Sequence, residues 1–220
     1  MLRRNLVLGG IAATGLGAWA LTRATSQLPA DPLMAANAQT ATADPSSIMD
    51  MVQGAADAPV EIIEYASFTC PHCATFHANV YPQLKADYID TGKVRFIYRE
   101  VYFDRFGLWA SMIARCGGEM RFFGMSSLIY ENQRDWTASG DPAVIVEELR
   151  KLAKTAGMTD AMLDECMNDA ENAQNLVSWY QANAERDDVK STPSFLIDGE
   201  KYSNMSFEEF KTILDKKIDV

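Results

Sequence analysis

Two histidines, His72 and His77, and four cysteines, Cys70, Cys73, Cys116 and Cys166, are all that 220 residues offer of those types. A structural zinc site takes four ligands, commonly as two paired motifs. Here Cys70 and Cys73 have no second pair to join, and His77 adds only a third ligand, so no metal is expected. Attachment of a c-type haem is excluded, because Ala74 stands where the pattern requires histidine. Basic residues are also in short supply, 20 Lys and Arg against 30 Asp and Glu, for a formal charge of −10. Phosphate backbones are bound by clustered Lys and Arg, so nucleic acid is not an expected partner; the acidity reads as a solvated surface. Long apolar runs are scarce too: the stretch from Leu6 to about Leu21 is short for a membrane span, which needs roughly 20 residues. There are no internal repeats.

The N-terminus does carry an address. Met1-Leu2-Arg3-Arg4 followed by that Gly- and Ala-rich run reads as an export signal or signal anchor over residues 1–23. Arg3-Arg4-Asn5-Leu6-Val7 resembles a twin-arginine signal, without the Ser or Thr that would precede it. Ala18-Trp19-Ala20 and Ala36-Asn37-Ala38 both fit the small-residue cleavage rule imperfectly, and an uncleaved segment touching the membrane stays open. Residues 24–47 have no period and read as a flexible tether. Residues 48–220 are expected to form one domain, periplasmic or otherwise exported. Removing residues 1–38 takes away three arginines and one aspartate, which leaves −12.

The chemistry sits at Cys70-Pro71-His72-Cys73. An apolar run, Val60 to Ala66, precedes it as a buried strand, and a helix is expected from Pro71 to about Tyr88. Strand, Cys-x-x-Cys, helix is the arrangement of a redox dithiol. At a helix N-terminus the Cys70 sulfur meets free N–H groups and the positive end of the helix dipole, which favour thiolate. Pro71 suits the first turn, where a missing N–H costs nothing. Cys73, one turn in, is expected to be buried and protonated. Cys70 then attacks and Cys73 resolves. His72 is expected to turn its imidazole toward Cys70 and stabilise the reduced form, which makes the disulfide oxidising. His77 reads as a surface or groove-edge residue.

Glu64 lies within the apolar strand, where a carboxylate is costly unless it has a task. Burial favours the neutral form of a carboxylic acid, which suits Glu64 to exchange a proton with Cys73. Exposure at the strand edge, as for Glu61, is the alternative. Near the C-terminus, Lys190-Ser191-Thr192-Pro193 leads into the strand Ser194–Ile197, and a proline there belongs at the strand's first residue.

The remaining pattern is a strand at Val94–Val101 and helices near Arg105–Cys116, Glu119–Asn132, Pro142–Ala156, Thr159–Met167 and Asn172–Asp187. Asp198-Gly199 makes a hairpin turn to Lys201–Ser203, and Ser206-Phe207-Glu208-Glu209 opens a final helix with a capping box. The methionines Met112, Met120, Met125, Met158, Met162 and Met167 read as core, some of them lining a peptide-binding surface. Cys116 and Cys166 are either joined in an oxidising compartment or two buried thiols.

Phe68-Thr69-Cys70-Pro71-His72-Cys73, Phe76 behind it, Glu64 six residues before Cys70, and Thr192-Pro193 before Ser194–Gly199 together resemble the DsbA family of thiol:disulfide oxidoreductases. The likeness covers roughly 58–220. It implies an α/β thioredoxin-like fold with a large all-helical insertion, residues 104–188, between the βαβ and ββα halves. It implies a cis Pro193 beside the dithiol, substrate contacts from Thr192 and Pro193, and a buried Glu64 beneath. Some relatives carry a second disulfide in the insertion, which would here be Cys116–Cys166. The implied activity is donation of the Cys70–Cys73 disulfide to reduced exported proteins, with reoxidation by a membrane quinone-linked partner and no organic cofactor. Some oxidases of the family have valine before the proline; Thr192 departs from that and keeps a disulfide isomerase or reductase as the alternative. A thiol metal-binding module and a non-catalytic peptide-binding chaperone are the alternatives of other classes.

Overall fold

Two β-rich, apolar runs form the centre of the molecule. In a computed structural model that describes residues 43–218, Val60–Ala66 (β2) pairs in parallel with Val94–Glu100 (β3), in register from Val60 opposite Val94 to Ala66 opposite Glu100. Met51–Gln53 (β1) lies antiparallel on the outside of β3, and Ser194–Ile197 (β4) lies antiparallel on the other side of β2. Glu200–Ser203 (β5) completes the order β1-β3-β2-β4-β5. The β4–β5 turn uses Asp198 and Gly199, both at positive φ, which is the geometry a two-residue hairpin prefers.

Strand alternation separates the two faces of β2. Glu64 faces the helix that follows the strand, where it meets His77, while Tyr65 faces the last helix of the insertion and bonds Asp187. That first helix is Pro71–Asn79 (α1), followed by Tyr81–Leu84 (α2) and a π turn at Lys85–Ile89. One continuous helix to Tyr88 is expected from the sequence; it breaks at Val80. Pro82 has no N–H to give the Ala78 carbonyl, so the helical ladder is interrupted there.

Between β3 and β4 run six helices: Arg105–Cys116 (α3), Glu119–Glu131 (α4), Gln133–Thr137 (α5), Pro142–Thr155 (α6), Asp160–Met167 (α7) and Ala170–Arg186 (α8). Five of these are legible in the sequence within a few residues, and short side chains cap several of their starts. Asp104 accepts from the Phe106 and Gly107 N–H groups, Asp141 from Ala143, Thr159 from Met162 and Asp169 from Asn172. Phe207–Ile218 (α9) ends the described chain, with Ser206 and Glu209 bonded reciprocally as a capping box.

The core is continuous from sheet to insertion. Phe76 of α1, Phe195 of β4 and Phe210 of α9 form one aromatic cluster, with ring centroids 4.8–5.8 Å apart. Phe68 and Tyr130 pack at 5.0 Å and bring α4 against the loop before α1. Packing also begins a little before Ile48: Pro45–Ser47 forms a 3-10 turn, and the Asp44 N–H donates to Asn175 of α8 at 2.9 Å. The expected export signal, residues 1–23, and nearly all of the expected tether lie outside the described residues. Among the described residues no helix is long and apolar enough to cross a membrane.

Candidate active site

The loop joining β2 to α1 is held from both ends. Cys70 N–H donates to the Ser67 carbonyl at 3.1 Å. Thr69 donates to Asp104, the same carboxylate that caps α3. Gln133 of α5, 6% exposed, gives its amide hydrogens to the carbonyls of Phe68 and Cys70 at 2.8 and 2.9 Å. The helical insertion thus grips the main chain on either side of Thr69.

Cys70 is the N-cap of α1, with Pro71 in the first turn. Its Sγ accepts from the Cys73 N–H at 3.4 Å, as an N-cap side chain does. The Cys70 thiol is lowered to about 5, first by the hydrogen bond it shares with the Cys73 side chain, against burial, which pushes it up. The Thr192 side chain and the main-chain N–H groups of Cys73 and His72 add to the lowering. His72 is exposed, and its main-chain N–H acts on Cys70. At position N2 the His72 main-chain N–H is one of the free donors of the first turn.

Cys73 behaves in the opposite way. It is fully buried, and desolvation first, then the hydrogen bond to Cys70 and the charge of Glu64, push its thiol far up. Both cysteines are free thiols in this structure. The surroundings thus favour the thiolate at one sulfur and the neutral thiol at its neighbour one turn away.

Thr192 and Pro193 come to the dithiol from the far end of the chain. Their peptide bond is cis, and the Thr192 carbonyl oxygen lies 3.5 Å from Cys70 Sγ. Only the protonated sulfur can donate there, whereas the Thr192 side chain favours the thiolate.

Below the dithiol, Glu64 is wholly buried. Its two carboxylate oxygens lie 3.0 and 3.2 Å from His77 Nε2. His77, expected at the surface, is 9% exposed and stacks on Tyr130 at 4.3 Å. It occupies the position one turn after Cys73, on the inward stripe that also holds Phe76, and the i, i+4 spacing was the available signal. Glu61, by contrast, lies near the start of the central strand β2, partly exposed, and pairs with Arg95. Among the described residues no group of three or more His, Cys, Asp or Glu side chains is placed to hold a metal ion.

A groove of ≈ 750 Å³ runs beside α1, lined by Thr69, Pro71, Thr75, Asp104, Phe106 and Arg134 among others. A second cavity, ≈ 790 Å³, lies away from the dithiol beside Cys116 and Cys166, where Met112, Met120 and Met162 line it. Cys116 and Cys166 form a disulfide with Cα atoms 5.7 Å apart. Of the six methionines read as core or groove, Met112, Met125, Met158 and Met167 are buried and Met120 is fully exposed. Gln133 and His77 are the two site residues that the sequence reading did not assign.

The thioredoxin family model matches residues 46–216. A Rickettsia bellii protein named as a protein-disulfide oxidoreductase is 31% identical, over 77% of this chain and 65% of its own length. The chain thus spans just under two thirds of that relative. Disulfide bond formation protein D of Bacillus subtilis is 23% identical, over 76% of each chain. The crystal structure of Wolbachia pipientis alpha-DsbA1 superposes with a TM-score of 0.71 at 26% identity, covering 81% of this chain and 96% of that one. On the sheet, the helical insertion and the dithiol at the head of α1, the chain belongs to the thioredoxin family as a DsbA-like member of it.

Proposed function

We propose that the protein is an exported thiol:disulfide oxidoreductase that donates its Cys70–Cys73 disulfide to reduced substrate proteins. The observation that carries this reading is the opposed tuning of two thiols one helical turn apart, Cys70 lowered to about 5 and Cys73 pushed far up. A sulfur of low pKa is a good leaving group, and a reduced form stabilised as thiolate makes the disulfide a strong oxidant. The name of the Bacillus subtilis relative, a disulfide bond formation protein, agrees with that direction.

The steps follow from the geometry. A substrate thiolate attacks Cys70 Sγ, the Cys70–Cys73 bond breaks, and Cys73 leaves with the electron pair and takes a proton. A second substrate thiolate then attacks the mixed disulfide at the substrate sulfur, and Cys70 departs as thiolate. Thr192 and Pro193 flank Cys70 where a substrate strand would lie, and Glu64 is the buried carboxyl group that exchanges a proton with Cys73. The groove beside α1 receives the substrate chain on the other side. The Met1–Arg4 and Leu6–Leu21 pattern supports export, and reoxidation falls to a membrane quinone-linked partner.

Equilibration with mixtures of reduced and oxidised glutathione, together with thiolate absorbance against pH, tests the reading. An oxidising potential and a thiolate midpoint near 5 are expected. A strongly reducing potential, or a midpoint at neutral pH or above, overturns it. The isomerase reading rests on Thr192, and scrambled-disulfide substrates refolding at catalytic rates without an added oxidant would favour it.

A further inference from the structure

We propose that His77 is the proton exit of the dithiol, passing the proton that Cys73 gains on reduction and loses on oxidation between Glu64 and water. The inference rests on the dithiol reading above and assigns a residue which that reading leaves unused. Above about pH 5 Cys70 is released as a thiolate and takes up no proton, so only Cys73 gains one on reduction and loses it on oxidation. Cys73 and Glu64 are both 0% exposed, so neither meets water. A path from a buried sulfur to solvent is needed, and the carboxylate that acts on Cys73 has His77 as its hydrogen-bond partner.

The geometry places His77 at the boundary. Nε2 spans both Glu64 oxygens at 3.0 and 3.2 Å, while the side chain keeps 4% exposure. The ring lines a cavity of ≈ 380 Å³ with Ala74, Ala78, Tyr81, Ser127 and Tyr130. Ala74 and Ala78, one turn apart on α1, leave the room that larger side chains would fill. The other titratable groups around the ring do not compete. Tyr98 of β3, Tyr130 of α4 and Tyr81 of α2 are all pushed up by burial, with the Glu64 charge adding to it, and stay protonated at neutral pH. Lys85 and Glu131 also line the cavity, and Lys85 is paired with Asp90.

The proton balance closes without a further reactant. As the substrate sulfur bonds Cys70, the electron pair of the broken S–S bond goes to Cys73. A proton held by the Glu64–His77 pair neutralises that sulfur, and water in the cavity reprotonates His77. On reoxidation the same proton leaves by the reverse route. His77 acts through Glu64 and is a positioning and relay residue; it does not touch the reacting sulfurs.

The test is single-turnover reduction of the oxidised protein by dithiothreitol, followed across pH. In His77→Gln, an amide keeps a hydrogen bond to Glu64 but cannot take up and release a proton. The expected result is a rate lower by about a hundredfold at neutral pH, the scale of general acid–base assistance, with the Cys70 midpoint still near 5. In His77→Ala, imidazole added to the buffer is expected to restore much of the rate. The proposal is overturned by a His77→Gln rate within about twofold of the parent across neutral pH, or by joint loss of the rate and the Cys70 midpoint. The unsubstituted protein gives a check independent of folding: absence of a solvent deuterium effect on its reduction rate also overturns it. Failure of the unsubstituted dithiol to react at all would instead sink the oxidoreductase reading.

Discussion

The molecule holds two cysteine pairs in opposite electrostatic settings. Cys70 caps the N-terminal, positive end of α1, where N–H groups converge on its sulfur. Cys116 is the last residue of α3, at the carbonyl end, and its Sγ lies 3.4 Å from the Met162 carbonyl oxygen. An anion is welcomed in the first place and disfavoured in the second. The first setting suits the opening and closing proposed for Cys70 and Cys73. The second pair is built to stay closed, tying two helices of the insertion across 50 residues of chain. On the proposed function, redox activity would follow from where a cysteine sits on its helix rather than from the presence of two thiols.

The largest expected effect comes from removing the attacking sulfur. Cys70→Ser should abolish exchange with reduced peptides and erase the thiolate absorbance step near 5, while mass analysis still finds Cys116 and Cys166 joined. A step surviving in that variant would belong to another thiol and break the contrast. Next comes the closed pair. Replacing Cys116 and Cys166 together by Ala should lower stability in denaturant by about 4 kcal/mol on the chain-entropy account of a fifty-residue loop. The Cys70 midpoint should remain near 5.

A pH series separates the two pairs more finely. The folded pKa of Cys70 is depressed from about 9 to about 5. Its contribution to the stability of the reduced form is therefore fully present above the unfolded pKa and is lost as pH falls toward 5. Cys73 is shifted the other way, so its contribution holds below the unfolded pKa and declines as pH rises beyond it. Reduced protein should gain stability relative to oxidised protein between about pH 5 and pH 9, by at most about 1.4 kcal/mol per pH unit and less where solvent screens the sulfur. Denaturation of both forms at several pH values measures this, and parallel curves would contradict it. The smallest effect is expected from Thr192→Val, which removes the side-chain hydroxyl that favours the thiolate. The Cys70 midpoint should rise by less than about one unit, read by the same absorbance titration.

Much of this architecture is legible in the sequence. The strands Val60–Ala66 and Ser194–Ile197 are apolar runs bounded by turn residues, and four helices of the insertion start behind a capping Asp104, Asp141, Thr159 or Asp169, so both types carry their own signals. The strand Met51–Gln53 and the helix Gln133–Thr137 carry none: they are three and five residues long, too short to show a period, and pairing and packing alone hold them. The break at Val80 is marked by Pro82, which outweighs the helical pattern on either side. His77 looked peripheral because a polar residue on a helix normally faces water; opposite Glu64 it faces inward, where each group satisfies the other.

What local chemistry settles, the amino-acid sequence determined alone: Cys-Pro-His-Cys at the mouth of a helix, with main-chain N–H groups aimed at the first sulfur. That outcome depends on neighbours within one turn, and any chain that forms the helix obtains it. Which groups gather beneath and behind the dithiol was decided only by the tertiary structure. Glu64 meets His77 across 13 residues, Gln133 reaches the carbonyl of Phe68 across 65, and Thr192 arrives at Cys70 across 122. No local pattern marks such meetings, because they are set by sheet register and helix packing, and a buried polar group takes whichever partner the fold brings to it.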